Sequence, residues 1–320
     1  MPSATILGSL ATPPLLMALL IISSSTISGT TMPDLNQTKA AEKEIMDVYQ
    51  NPIVNILANE LETRINKSGA ILEITSSLPE VKSAPFASSI SPELHGIPKD
   101  ADMPKRKVAQ DILNADKDFE VIYFLMPNGD MYLEEPYSRQ ENLTRGNFAF
   151  RDYFRGALDS RDTYLGDVII SASSGRPQAN IAVPIYSENN EMLLGVWAAG
   201  LNITMLSNSL QSLNLKGNDQ RVVYLDQQGQ KIADSDSQSP SLPISNNTSS
   251  NESFDNLQAF KNAINGESGS TIEIINGKMM LVSYYPVRAF SNVWAVLFME
   301  PYPLTEIGRS SSNTSMLSPR

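Results

Sequence analysis

A chain of 320 residues, 41% of them apolar, is long enough for two globular units with a substantial core. A net charge of −11 without any basic block argues against grip on a nucleic-acid backbone, so no nucleic-acid partner is expected. With no cysteine in the chain, disulfides, thiolate metal sites and thiol nucleophiles are excluded.

Taken in chain order, residues 5–22 carry no charge and the first Lys or Arg is Lys39. With a small polar extension to Gly29, this run just reaches the length of a membrane span. A cleaved signal peptide is the other reading. The lack of a basic leader or a clear small-residue cleavage site favours an uncleaved anchor over residues 1–32. Either reading exports the rest of the chain, which would be secreted if the N-terminus is cleaved. Eight Asn-x-Ser/Thr sequons, at Asn36, Asn66, Asn142, Asn202, Asn246, Asn247, Asn251 and Asn313, are compatible with an outside location.

Residues 33–76 are expected to form a long stalk helix. Ile45, Tyr49, Ile53, Ile56, Leu57, Leu61, Ile65 and Leu72 recur at helical spacing and form one apolar stripe. Pro52 either starts a second helix behind an Asn51 cap or kinks a continuous one. The stripe fits simple core packing and equally a stalk that pairs with a second copy. Residues 77–105, rich in Ser and Pro, read as irregular cover, and 106–115 as a helix. A strand over 119–126, a turn at Asn128-Gly129 and a return over 130–135 form a hairpin.

Most of the chemistry lies between Asn147 and Thr204. Phe150-Arg151-Asp152-Tyr153-Phe154 opens a short helix; extended runs over 163–172 and 178–186 follow, joined by Ser174-Gly175-Arg176-Pro177, and a third run covers 191–203. After a helix at 205–217 the order repeats. A strand and a Gly229 turn echo Gly129, a helix covers 254–265, and runs over 270–276, 278–287 and 292–300 end the pattern, with Pro286 answering Pro184. The expectation is a duplication, two α+β modules of antiparallel strands. Glu134-Glu135 and Asp100/Asp102, acidic pairs without a partner base or metal set, read as solvated faces. Trp197, Trp294 and Tyr284-Tyr285 read as packing residues. The lone histidine, His95, lacks the partners of a ligand or a base, no Ser-His-Asp set forms without it, and no cofactor or metal is called for.

The density of RDYFRGAL, YLGDVIISASSGRPQANIAVPI and GVWAAGLNI resembles the double Cache family, the extracytoplasmic sensor modules of histidine kinases, chemoreceptors and cyclases. The resemblance covers about residues 33–305. It implies two PAS-like modules with antiparallel sheets stacked on a long N-terminal helix: a membrane-distal ligand module over 77–204, a membrane-proximal module over 205–305, and a disordered tail over 306–320. It also implies a small organic ligand in the distal module. By position Arg151, Tyr153 and Phe154 match the family's arginine-x-aromatic-aromatic pattern, and Tyr164 and Asp167 join them as candidate ligand contacts. Arg151 at a helix start suits a carboxylate; its other reading is a structural ion pair with Asp152, Asp159 or Asp167. Gly166 and Gly200 stand where amino-acid-binding members hold the ligand ammonium with aspartates, and the run NFAFRDYF resembles the corresponding part of dicarboxylate sensor kinases, a resemblance that favours an organic acid. The expected function is small-molecule sensing, with a homodimer through the stalk and a separate membrane signalling partner as candidate partners. A structural or adhesion protein with an unused pocket is the alternative, and a surface hydrolase a weaker one; an enzyme is not expected.

Overall fold

The structure, a computed structural model, describes residues 52–302 apart from 190, 214, 216–218 and 237–253. The anchor expected over 1–32, the stalk before Pro52 and the tail over 306–320 lie outside the described residues. The spine of the described chain is α1 (Pro52–Ser76), whose 25 residues run about 38 Å. Its buried stripe is Val54, Leu57, Ala58, Leu61, Ile65, Ser68, Gly69 and Leu72, ending at Ser76. Ile53 and Ile56, read from sequence as part of that stripe, are instead exposed. The small residues Ala58, Ser68 and Gly69 take part of the buried face, because the strands behind them come close.

Beyond α1 come a short helix α2 (Pro79–Lys82), the helix α3 (Met103–Ala115), and the hairpin β1 (Phe119–Leu125) and β2 (Met131–Glu135). Helix α3 is capped by Asp102, whose carboxylate accepts from the Lys105 N–H. The β1–β2 turn is longer than two residues: Leu125 pairs with Met131, and Gly129 takes the left-handed φ of +85° that the loop requires. Then follow α4 (Tyr137–Glu141), α5 (Asp152–Ser160), β3 (Tyr164–Leu165), β4 (Ile169–Ile170), β5 (Pro177–Gln178), β6 (Asn180–Tyr186) and β7 (Leu193–Leu201). The run over 163–172, expected as one extended segment, breaks after Leu165, and β4 pairs with β5 as a small separate ribbon. The second half holds α6 (Ile203–Gln211), β8 (Arg221–Leu225), β9 (Lys231–Asp234), α7 (Gln258–Ile264), β10 (Gly269–Ile275), β11 (Lys278–Ala289) and β12 (Asn292–Pro301).

Two five-stranded antiparallel sheets result, ordered β2-β1-β7-β6-β3 and β9-β8-β12-β11-β10. The order is the same in both, as the duplication predicts. The registers agree residue by residue. Pro184 pairs with Val196, which pairs with Leu125; Pro286 pairs with Ala295, which pairs with Leu225.

Each sheet is covered on both faces, so its strands appear as apolar runs rather than alternating ones. The inner faces share one continuous core along α1, with Ile122, Phe124, Trp197, Val222, Trp294 and Phe298 among its members. The outer faces have separate cores. Under α5 lie Val121, Tyr123, Leu125, Val196 and Ala198; under α7 lie Val223, Leu225, Val282, Leu297 and Met299.

The two modules are joined by directed contacts. Val168 N–H donates to Asp226 Oδ2 at 3.0 Å and Gln227 donates to Asp167; within the second module Trp294 Nε1 fixes Gln227 by donating to its Oε1 at 3.1 Å. At the β11–β12 tip, Asn292 donates to the Leu165 carbonyl, and the Phe290 ring lies where a Cβ on Gly69 would stand. Only glycine at 69 lets that ring reach the helix backbone.

Three of the four acids expected on solvated faces are not there, while Asp100 is exposed as expected. Glu134 and Glu135 are both buried, as is Asp102. Glu135 accepts from buried Arg106 at 2.6 Å and from Gln110, and Asp102 accepts from the Tyr132 hydroxyl at 2.7 Å. Lys105, also buried, lies 3.7 Å from the Phe124 ring centre, and burial pushes its ammonium down to about 8 despite Asp102.

Candidate ligand-binding site

The outer face of the first sheet holds a polar cavity within an otherwise apolar core. Its walls come from β1 and β2 (Tyr123, Glu134), the start of α5 (Arg151, Tyr153), the β4–β5 ribbon (Ser171, Ser173, Gln178) and β6 (Asn180). The chain brings these together because residues two apart on a strand share a face, and β1 pairs Tyr123 with both Glu134 and Ala198.

Asn180, almost wholly buried, uses its Oδ1 to accept from the Tyr123 hydroxyl at 3.0 Å and from Gln178 Nε2 at 2.6 Å. Its Nδ2 donor has no partner. Arg151 caps α5 and donates from one guanidinium nitrogen to the Ile170 carbonyl at 3.1 Å, while its buried Nε–H is also unpartnered. Among the described residues no carboxylate lies within ion-pair distance of Arg151, so the ion-pair reading of this arginine is not realised. Two buried donors without acceptors on one cavity wall are costly unless something completes them.

The cavity is also lined by Glu134 on β2. Its Oε1 accepts from the Ser173 hydroxyl at 2.8 Å, and Arg139 Nε is 3.7 Å away. Burial is the main effect and pushes its carboxyl up to about 7, against the pull of Ser173 and Arg139. Arg139 on α4 is the organiser of this wall, donating to Glu120 at 2.7 Å, Ser173 at 2.8 Å, Gln178 at 2.8 Å and Ser171 at 3.2 Å. It therefore ties the β4–β5 ribbon to the sheet. Burial also raises the hydroxyls of Tyr123 and Tyr153, so both stay protonated donors at physiological pH.

The free volume inside the cavity is about 20 Å³, room for roughly one water. Outside it lies a recess of about 440 Å³ lined by Asn142, Thr144, Arg145, Arg151, Ile170, Ser171, Ala172, Ser173 and Gly175. Arg151 and Ser171 to Ser173 belong to both, so the ribbon is the partition between inner cavity and outer recess. The recess is cationic in an acidic chain: Arg145 and Arg151 each lie 5.0 Å from the Phe150 ring centre.

The structure thus places two of the candidates named from sequence, Arg151 and Tyr153, on the cavity wall. Phe154 is buried in the core beneath α5. Tyr164 packs over Gly156, its ring where a Cβ there would stand. Asp167 sits at the module junction, where its N–H donates to Asp152 Oδ2 at 2.5 Å; burial first, and then Asp152 and Asp226, push its carboxyl up to about 6. Sequence reasoning did not single out Tyr123, Gln178 or Asn180, and it assigned Glu134 to a solvated face. The available signal was polar residues inside apolar runs, Asn180 before IAVPI and Glu134 after MYL.

The family model for the Cache domain matches residues 36–304. The chain belongs to this family. Its fold is similar to the ligand-binding domain of the Pseudomonas fluorescens chemoreceptor CtaA in complex with L-isoleucine, at 16% identity and a TM-score of 0.55, covering 82% of this chain and 95% of that one. The extracellular domain of the putative histidine kinase rpHK1S-Z16 is similar at 14% identity and a TM-score of 0.57, over 83% and 96% of the two chains. The Pseudomonas aeruginosa chemoreceptor PctC domain, in complex with GABA, shares 15% identity at a TM-score of 0.53, over 78% and 96%. Among curated proteins none matches. The Cache chain described here has no helix among its described residues that is long and apolar enough to cross a membrane, and no group of His, Cys, Asp and Glu there could hold a metal ion.

Proposed function

We propose that this Cache protein is the sensing part of an extracytoplasmic signalling system, and that its first module holds a small carboxylate against Arg151 and Asn180. The observation that carries the reading is the pair of unpartnered buried donors, Arg151 Nε and Asn180 Nδ2, in one cavity. A carboxylate has two oxygens with about four acceptor sites and completes both donors at once. The cationic recess outside would draw anions toward the entrance despite the net charge of −11. Entry requires the β4–β5 ribbon to move, since the cavity holds only about one water when closed. That ribbon is continuous with Asp167 and Val168, which bond to Asp226 and Gln227 of the second module, so opening and closing would be felt there. In this reading residues 77–204 form the ligand module and 205–305 the membrane-proximal one. An N-terminal anchor, stalk pairing between copies and a separate signalling partner complete it. Chemoreceptor domains of similar fold in complex with L-isoleucine and with GABA support it.

The test is a thermal-shift screen of the full chain with organic acids, amino acids and amines, run beside Arg151→Ala. Ligand at about 100 times its Kd should add about 2.7 kcal/mol of stability to the parent. A carboxylate that raises the parent's midpoint and leaves that of Arg151→Ala unchanged supports the reading. Equal stabilisation of both proteins removes Arg151 from the site.

A further inference from the structure

We infer that the outer edge of β10, in the second module, is a pairing surface for a second copy of this chain, the two strands running antiparallel about a two-fold axis at Ile272. The inference is independent of the ligand reading above and concerns the other module.

Strand β10 (Gly269–Ile275) closes the second sheet and pairs there with β11 alone. Which of its backbone groups face outward follows from the turn. Asn276 and Gly277 stand between the paired Ile275 and Lys278, both with left-handed φ, 52° and 77°. That is the two-residue hairpin loop whose flanking residues exchange both hydrogen bonds. Bonded and non-bonded positions alternate along an antiparallel ladder. Gly269, Thr271, Glu273 and Ile275 therefore turn their N–H and C=O toward β11, and Ile272 and Ile274 turn theirs outward. No backbone group among the described residues bonds to Ile272 or Ile274 from that side. The same two residues carry exposed side chains, at 36% and 75%, beside Met279, which pairs with Ile274 and is itself exposed.

Sheet edges are commonly blunted by shortness, a bulge, a proline or a lysine. The equivalent strand of the first module, β3, has two residues before the chain leaves the sheet. Strand β10 has seven, in unbroken register, with neither proline nor lysine. Its one charge is turned away from the edge: Glu273 accepts from the Ala259 N–H on α7 at 2.8 Å and from the Thr271 hydroxyl at 2.9 Å.

The edge is complementary to itself. An antiparallel pair matches outward-turned residues with outward-turned residues, so the two-fold axis must pass through a residue and not between two. At Ile272, the central residue, the whole strand pairs and Glu273 stands opposite Thr271. An axis moved one residue either way shortens the pairing, and at Glu273 it also sets two carboxylates face to face, which is destabilising. On the favoured axis the two Ile272 residues exchange both hydrogen bonds and their side chains meet, so the two sheets become one. An edge of this length is small beside the roughly 1,200 Å² that stable interfaces bury, so the pair dissociates on dilution.

The chain has no cysteine, so one introduced thiol reports the geometry. Across the axis Ile272 faces its own copy at a Cα separation of about 5.5 Å, within reach of a disulfide. Ile274 is the more exposed residue, but it faces Ser270 and stands far from its own copy. The full chain carrying Ile272→Cys or Ile274→Cys is oxidised at about 0.3 M salt, which screens the net charge of −11 on each copy. Ile272→Cys should form the linked dimer at least about tenfold faster than Ile274→Cys. Equal rates, a faster Ile274→Cys, or no dimer from either variant overturns the inference. Sedimentation at rising concentration separates this edge from pairing through the stalk. The average mass of the parent should rise, and that of Ile272→Pro should not, because proline removes the outward N–H and leaves the β11 ladder intact. A rise that is the same in both proteins places the dimer contact elsewhere and also overturns the inference. Urea unfolding checks that Ile272→Pro is folded; if it is not, the two cysteine variants decide.

Discussion

In the first sheet Glu134 pairs across β1 with Tyr123; in the second, Asp234 pairs across β8 with Val223. The two acids occupy one position in a duplicated scaffold, and both are buried. Their surroundings drive them in opposite directions. Burial alone would raise Asp234, but the hydrogen bonds and charge of Arg221, with the Asp236 N–H and Lys231, hold it below the ordinary carboxylate value. Glu134 has burial with its cation, Arg139, only at 3.7 Å, and is pushed up to about 7. The space around them differs in the same sense. Where the first module has Ala198, Gly200 and Asn180, the matching registers of the second carry Leu297, Met299 and Val282. The second module carries larger apolar side chains at the registers where the first borders a polar cavity. In the proposed reading one scaffold serves as a platform in one copy and a receptor in the other, through a few side-chain volumes and the placing of one cation.

The largest effect should come from breaking the completed acid. Asp234→Ala leaves Arg221 and Lys231 beside an empty buried position and should cost about 3–5 kcal/mol in urea unfolding at pH 7. Asp234 has a folded pKa below its unfolded value. Its stabilisation is therefore present above the unfolded value and is lost as pH falls through the folded one. The parent should lose stability below about pH 4 by this route, and Asp234→Ala should not.

Glu134→Gln should act in the other direction, by up to about 3 kcal/mol. The folded Glu134 holds its proton up to about pH 7, whereas the unfolded one releases it near 4.5. Between those values the folded state binds the extra proton, so stability declines as pH rises, then stays level above about 7. The variant lacks this decline and should be the more stable protein at pH 8 and nearly equal at pH 4, by urea titration at each pH. A variant less stable than the parent at pH 8 would mean that the Glu134 charge is compensated in the folded state.

Third in size is Ala198→Leu, which gives the first module the side chain its twin carries at Leu297. Overpacking should cost about 1–3 kcal/mol. Ligand stabilisation should disappear, because the leucine fills the cavity next to Tyr123. If an acid still raises the midpoint, the ligand sits in the outer recess.

The duplication was legible because it is written in features that act locally. Gly129 and Gly229 share left-handed turns, Pro184 and Pro286 share a register, and strands covered on both faces appear as apolar runs. The cavity was legible only at Arg151 and Tyr153. Glu134 and Glu135 look like a solvated pair because adjacent acids usually are. Here the strand sends them to opposite faces, Glu134 toward Ser173 and Glu135 toward Arg106, 29 residues away in the chain. No local window contains that arginine, which itself looks like one more charge in a surface helix, MPKRK. The resemblance groups Tyr164 and Asp167 with the ligand contacts, Asp167 lying one residue beyond the position of the family's aspartate. The chain instead leaves the sheet after Leu165 to reach the second module, so Asp167 faces Gln227 rather than the cavity.

The smallest effect belongs to that junction. Asp167 lies near Asp152 and Asp226, and burial with these like charges raises it to about 6, while Gln227 pulls it back. As with Glu134, the folded state keeps a proton that the unfolded chain gives up near pH 4, so the charged form opposes the docking of the modules at neutral pH. The group is only partly buried and solvent screens it, so Asp167→Asn should gain no more than about 1 kcal/mol at pH 8 and nothing at pH 4. Its pH window ends near 6, a unit below that of Glu134, and the two variants can be told apart by where each departs from the parent curve. A double variant sharpens the comparison. If the cavity and the junction move independently, the gains of Glu134→Gln and Asp167→Asn add within about 0.5 kcal/mol. If the ribbon carries strain from one to the other, they do not.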